Sequence, residues 1–190
     1  MPKAILIDVG GPLVDESSFY EITDRLVLEL LAQSGRKVAE EEYEEVVRRF
    51  TSQLFPQPRM AALWHFIQPD LEEFRKLCEA LSRRRGYRPK EQVEASEAVA
   101  ALAGRYLLAL AGNQPARIKE LLQSSGILKY FQFQQVSEEL GVSKPDPLFF
   151  QVILDSLGVE PPEAVMVGDR LDYDIYPAKL LGLKTIRVLV

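Results

Sequence analysis

Cysteine and histidine are almost missing from this chain, which carries one of each, Cys78 and His65. A single thiol excludes an internal disulfide framework and fits a reducing cytoplasm. Cys78 lies in Phe74-Arg75-Lys76-Leu77-Cys78-Glu79-Ala80-Leu81, a helical pattern in which packing is its expected role. His65 sits in the apolar stretch Leu63-Trp64-His65-Phe66-Ile67, so it reads as a packed or substrate-facing side chain rather than a general base. Long apolar runs are also lacking. The most apolar stretch, Ala98 to Gly112, carries Arg105 and is too short to span a bilayer. Met1-Pro2-Lys3 leads into a short apolar run that stops at Asp8, so no secretory signal is expected. Positive charge is in deficit: the net charge of −5 argues against a nucleic-acid surface. The one basic cluster, Arg83-Arg84-Arg85 with Arg88, reads as the complement of a helix C-terminus rather than an anion site. No internal repeat or low-complexity linker interrupts the chain. At 190 residues it can hold one full core, or a core with a small inserted subdomain.

What the chain does have is acid placed directly after apolar runs. Near the start, Ala4-Ile5-Leu6-Ile7 runs into Asp8, followed by Val9-Gly10-Gly11-Pro12-Leu13-Val14-Asp15. Near the end, Ala164-Val165-Met166-Val167 runs into Gly168-Asp169, with Asp172 and Asp174 close behind. Runs of this kind read as strands buried on both faces. Carboxylates at their ends lie in the crevice beyond the sheet, where open α/β folds bind ligands. Several acids so close together need protons or a hard cation such as Mg²⁺ to offset their repulsion. Lys144, in Ser143-Lys144-Pro145-Asp146-Pro147, adds a cation in a proline-stiffened loop.

Residues 1–15 predict a strand and a glycine turn. Residues 16–90 read as helix throughout. Ile22, Leu26 and Leu30 recur at helical spacing, as do Val27 and Leu31, and Ser34-Gly35 ends the pattern. Val38 to Leu54 follows, with Glu at its start and Arg at its end, and Pro56 and Pro58 interrupt it. Two more helices are expected around Met60–Ile67 and Leu71–Arg85. From about residue 93 helix and strand alternate. Strands are expected at 106–111, 131–136, 164–167 and 184–189, and helices near 93–104, 115–125, 147–157 and 175–181. Alternation of this kind specifies a Rossmann-like, doubly wound parallel sheet. The expected organisation is an α/β core of residues 1–15 and 91–190, with an all-α insert at 16–90.

Asp8-Val9-Gly10-Gly11-Pro12-Leu13 resembles the D-x-D-G-T-L nucleophile motif of the haloacid dehalogenase-like hydrolase superfamily. Lys144-Pro145-Asp146-Pro147 resembles its lysine motif, and Gly168-Asp169 through Asp174 is similar to its terminal G-D-x-x-x-x-D. The likeness runs along most of the chain in the expected order. It implies that the helical insert is a cap of the C1 type, which selects substrate. It also implies that Asp8 attacks phosphorus to form an aspartyl-phosphate. Lys144 and Mg²⁺ would neutralise the phosphate, the metal being held by Asp8, the carbonyl of Gly10 and Asp169, with Asp174 in support. Backbone N–H groups of Gly112 and Asn113 would point at the phosphate. The implied partner is a small phosphorylated metabolite, with monomer and homodimer equally open. Asp172 reads as a surface or supporting acid, and Phe19 and Tyr20 as helix-face packing.

The chain departs from that pattern in two motifs. Gly10 stands where the second aspartate of D-x-D moves a proton, a role worth about 10²–10⁴-fold in rate. Pro12 replaces the threonine, and Ala111-Gly112-Asn113 lacks the hydroxyl of the second motif. Asp15 or Glu16, just past the turn, is a candidate replacement for the missing acid. Three functions follow. The first is a Mg²⁺-dependent phosphatase of reduced or narrow activity. The second is a catalytically degenerate protein that binds phosphate, metal or a protein partner. The third, carbon–halogen or phosphonate hydrolysis, is least supported. A dehalogenase would want an aromatic residue at position 10 and serine at 112, and the lysines a phosphonatase would need, Lys37 and Lys76, read as surface residues.

Overall fold

Apolar runs with nothing polar to expose become interior strands, and the first of them lies at the centre of the sheet. The computed structural model describes residues 1–55, 57–84, 90–92 and 94–190. The role of Pro56, the end of the basic cluster from Arg85 to Arg88, and the helix start at Val93 lie outside the described residues. Strand β1 (Ala4–Ile7) is buried along its whole length. It pairs in parallel with β4 (Leu107–Leu110) on one side and β5 (Ala164–Gly168) on the other, and β5 pairs with β6 (Lys184–Arg187). The order is β4-β1-β5-β6. A separate antiparallel ribbon joins β2 (Val14–Asp15) to β3 (Lys90–Glu91). Because the main ladders are parallel, side chains alternate faces in register. Ala4, Leu6, Ala109, Ala111, Ala164 and Met166 share one hydrophobic cluster with Phe149, Phe150, Ile153 and Leu154 of α8 (Pro147–Leu157). The alternate residues Ile5, Ile7, Leu108, Leu110 and Val165 are buried as well. Both faces of the sheet are therefore covered, as a doubly wound sheet requires.

Helix α8 shows how local signals set an element. Asp146 caps it by accepting the amide of Leu148 at 2.9 Å, Pro147 opens it, and Gly158 closes it in the left-handed region at φ 65°. Its buried stripe, two adjacent pairs one turn apart, contributes roughly 1.5–3 kcal/mol per side chain. Around the sheet lie α5 (Ala95–Ala103), α6 (Ile118–Ser124), the single turn α7 (Ser137–Leu140) and α9 (Tyr176–Leu180).

Three expected elements differ. The strand at 131–136 is reduced to one bridge, Ala109 to Phe133. The Gln132 side chain takes the amide of Leu108 at 2.7 Å, and that side-chain bond stands where further strand pairing would go. Helix α6 starts at Ile118 rather than 115, because Ile118, Lys119 and Glu120 donate to the carbonyls three residues back, a tighter turn. The helix expected at 175–181 is preceded by a π-helical turn, Leu171–Ile175.

The chain divides into two compact units, Met1–Glu16 with Pro89–Val190, and Ser17–Arg88. Among the described residues the regular elements of the second are all helices: α1 (Ser17–Gln33), α2 (Glu40–Ser52), α3 (Pro58–Ile67) and α4 (Leu71–Arg84). Val27, Leu30 and Leu31 of α1 meet Tyr43, Val46 and Val47 of α2, Leu63 and Ile67 of α3, and Leu77 and Leu81 of α4. Each set has the three- or four-residue spacing of one helix face. Arg59 holds Asp24 with two hydrogen bonds, at 2.8 and 2.9 Å, and the Tyr43 hydroxyl donates to the same carboxylate at 2.8 Å. Arg59 also lies over the Tyr20 ring, so Tyr20 packs within this unit. Cys78 is partly buried against the same helical core, and His65 sits beside the rings of Phe50 and Phe66. Among the described residues no helix is long and apolar enough to cross a membrane.

Candidate active site

Three parallel strands end together, and the residues that follow them converge. Asp8 leaves β1 with its amide donated to the carbonyl of Val167 on β5, at 2.8 Å. Its carboxylate oxygen Oδ1 accepts the amide of Val9 at 2.7 Å and the ammonium of Lys144 at 2.8 Å. Both bonds fall on Oδ1. Lys144 arrives from the loop before α8. Asn113, just past β4, grips that loop in both directions. Its side-chain amide donates to the Lys144 carbonyl at 2.8 Å, and its oxygen accepts the Lys144 amide at 2.9 Å. The ammonium is 2 % exposed and also pairs with Asp174 Oδ1 at 2.5 Å.

Asp174 is fully buried, delivered by the π-helical turn after β5, and its second oxygen accepts the amide of Arg170 at 3.0 Å. It packs directly on the α-carbon of Gly168, where no β-carbon would fit. Asp169 lies against Gly11, whose φ of +85° belongs to the glycine region. Asp172 is turned to Arg170, with bonds of 3.0 and 2.6 Å, and stands apart from the cluster. Carboxylate oxygens of Asp8, Asp169 and Asp174 all lie within 4.8 Å of one another.

Three carboxylates face one ammonium in a nearly dry site. Burial pushes the Asp8 carboxyl up to about 7, against the pull of Lys144 and with the push of Asp174. Burial likewise raises Asp169, with Asp174 adding to it. Burial works against the charge on Lys144, but Asp8 and Asp174 outweigh it and hold the ammonium above its usual range. This donor set, hard oxygens in charge excess, fits a divalent cation such as Mg²⁺.

The two glycines that depart from the expected motifs are filled from elsewhere. A β-carbon on Gly112 would stand 2.6 Å from Val9 Cγ2, so Val9 occupies the place of a serine or threonine side chain. A β-carbon on Gly10 would stand 2.6 Å from Glu16 Oε2 and 2.9 Å from Glu16 Cδ. Gln114 Nε2 donates to Glu16 Oε1 at 2.9 Å across 98 residues of sequence. Neither the Val9–Gly112 contact nor the part played by Gln114 has a local sequence signal. Both depend on which loops the parallel sheet brings together.

The sequence profile of the haloacid dehalogenase-like hydrolases matches residues 2–182. A glyceraldehyde 3-phosphate phosphatase of Methanopyrus kandleri is 30% identical over 216 aligned positions, spanning 99% of this chain and 84% of that protein. A phosphoserine phosphatase of Thermus thermophilus is 37% identical over 118 residues, 62% of this chain. The chain spans about half, 47%, of that relative's length. The fold is shared with a subfamily IA hydrolase of this superfamily from Geobacter sulfurreducens, at a TM-score of 0.68 and 20% identity over 98% of this chain and 86% of that one. With this profile, these relatives and this fold, the chain belongs to the haloacid dehalogenase-like hydrolase family.

Proposed function

We propose that this protein is a Mg²⁺-dependent phosphatase of small phosphorylated metabolites, acting in the cytoplasm through an aspartyl-phosphate on Asp8. The observation that carries the reading is the buried Asp8–Lys144–Asp174 chain with Asp169 beside it at the strand ends. Asp8 Oδ2 is the attacking oxygen, because Oδ1 is tied to Lys144 and to its own loop. Lys144 orients Asp8 and offsets the charge of an incoming phosphate, while Asp174 and Asn113 hold Lys144 in place. Asp8, the Gly10 carbonyl and Asp169 would hold Mg²⁺, with Asp174 in support. When bound, the metal supplies charge neutralisation at the phosphoryl oxygens. The amides of Gly112 and Asn113 line the phosphate site. The helical unit is the substrate-selecting cap, its extent being residues 16–90. Two relatives are named as phosphatases of phosphoserine and of glyceraldehyde 3-phosphate, both three-carbon monoesters, and esters of that size are the first substrates to try.

The test is a panel of such esters with p-nitrophenyl phosphate, assayed with and without Mg²⁺. Turnover is expected only with Mg²⁺ and only with Asp8 intact. Asp8→Asn should abolish it while the fold persists, since an amide does not attack phosphorus. Silence across the panel from folded, Mg²⁺-loaded protein would overturn the phosphatase reading in favour of a non-catalytic phosphate-binding protein.

A further inference from the structure

The carboxyl group that position 10 lacks is present in space, brought there by a different residue. From bond lengths of about 1.5 Å for C–C and 1.2 Å for C–O, the oxygens of an aspartate lie roughly 2.4 Å from its β-carbon. Around the position a Gly10 β-carbon would take, Glu16 Oε2 lies at 2.6 Å and Oε1 at 3.3 Å. With its Cδ 2.9 Å from the same point, the Glu16 carboxyl fills the space that an aspartate side chain at position 10 would need. It is held there: Gln114 Nε2 donates to Oε1 at 2.9 Å. Gln114 is in turn anchored, because its carbonyl accepts the Ser137 hydroxyl and the Glu138 amide, both at 3.4 Å. Oε2 is the oxygen nearest the position a Gly10 β-carbon would take.

We propose that Glu16 is the proton-transfer residue of this enzyme, Gly10 being glycine because the Glu16 carboxyl fills the space its side chain would need. The assignment rests on the phosphatase reading above. In the first half-reaction Asp8 Oδ2 forms a bond to phosphorus as the bond from phosphorus to the ester oxygen breaks. The protonated Glu16 carboxyl gives its proton to that leaving oxygen, releasing the alcohol and leaving Glu16 ionised. In the second, Glu16 takes a proton from water as the water oxygen bonds to phosphorus. The Asp8–phosphorus bond breaks, giving inorganic phosphate, free Asp8 and protonated Glu16. Charge and protons balance over the cycle. Gln114, by fixing Oε1, is a positioning residue.

The experiment compares Glu16→Gln with the wild type on an alkyl phosphate and on p-nitrophenyl phosphate. The alkyl ester needs a proton on its leaving oxygen and should lose about 10²–10⁴-fold in turnover. The aryl ester leaves unaided, so Glu16→Gln should release one equivalent of nitrophenolate in a rapid burst and then stall at the phosphorylated Asp8. The double variant Gly10→Asp with Glu16→Ala, which moves the carboxyl back onto position 10 and removes the clash, should recover alkyl-ester turnover. Equal losses on both esters with no burst, or no loss on either, would overturn the Glu16 assignment while leaving the phosphatase reading standing. Absence of Asp8-dependent turnover in the wild type would overturn both.

Discussion

Asp8 is the residue in which burial and charge conflict most sharply. Its carboxyl, raised to about 7 by burial, keeps its proton in the folded state where an unfolded chain has already lost it. Stability therefore falls as pH rises wherever the folded state binds more protons than the unfolded one. Metal-free protein should lose stability from about pH 4 to about pH 7 as Asp8, with Asp169 in the same direction, is forced to ionise. Lys144 is raised above its usual value and so keeps its contribution until well into the alkaline range. Saturating Mg²⁺ should remove the fall, because the cation favours the ionised acids. Asp8→Asn should shrink the fall in the metal-free curve to the part that Asp169 contributes. Urea midpoints at about pH 5 and about pH 8, with chelator and with Mg²⁺, measure this. Metal-free protein that gains stability over that interval would show that the acids are not mutually strained.

Among the elements, the loops after the strands matter more for the site than the strands. Asn113 ties the loop after β4 to the loop before α8 through two hydrogen bonds to the Lys144 backbone. Asn113→Ala leaves a part-buried amide and carbonyl without those partners and should cost about 1–3 kcal/mol in stability. Turnover should fall more steeply than substrate affinity, because the Lys144 ammonium is displaced from Asp8 and small misplacements cost up to about 10²-fold. Unchanged kcat in a stable Asn113→Ala protein would count against Lys144 being positioned this way. Helix α8 was legible in the sequence because Asp146, Pro147 and Gly158 are local signals at its own ends. The strand expected at 131–136 was not, since strand pairing is decided by a neighbour, and there Gln132 takes the neighbour's amide. Two-residue strands such as β2 and β3, and the one-turn helix α7, are shorter than any periodicity can register.

At the scale of the molecule, the alternation of apolar runs and helical stripes already specified a parallel α/β sheet and a block of helices between its first strand and the rest. The convergence of Asp8, Lys144, Asp169 and Asp174 was legible too, because the acids sit at the ends of buried strands and parallel topology brings such ends to one edge. What filled the gap at Gly112 was not. Val9 against Gly112 joins loops far apart in sequence and is visible only once the strands are in register, whereas Glu16, six residues past Gly10, was already a candidate for the missing acid. A chain that lost two motif side chains through drift would leave holes, and here both places are occupied. The most direct measurement is to trap the covalent intermediate. Mg²⁺-loaded protein is quenched during turnover of p-nitrophenyl phosphate, digested and mapped by mass spectrometry. A phosphoryl group on the peptide containing Asp8, absent in Asp8→Asn and labile to hydroxylamine, is the predicted result; turnover with that peptide unmodified, or with wild-type rate retained in Asp8→Asn, would contradict it.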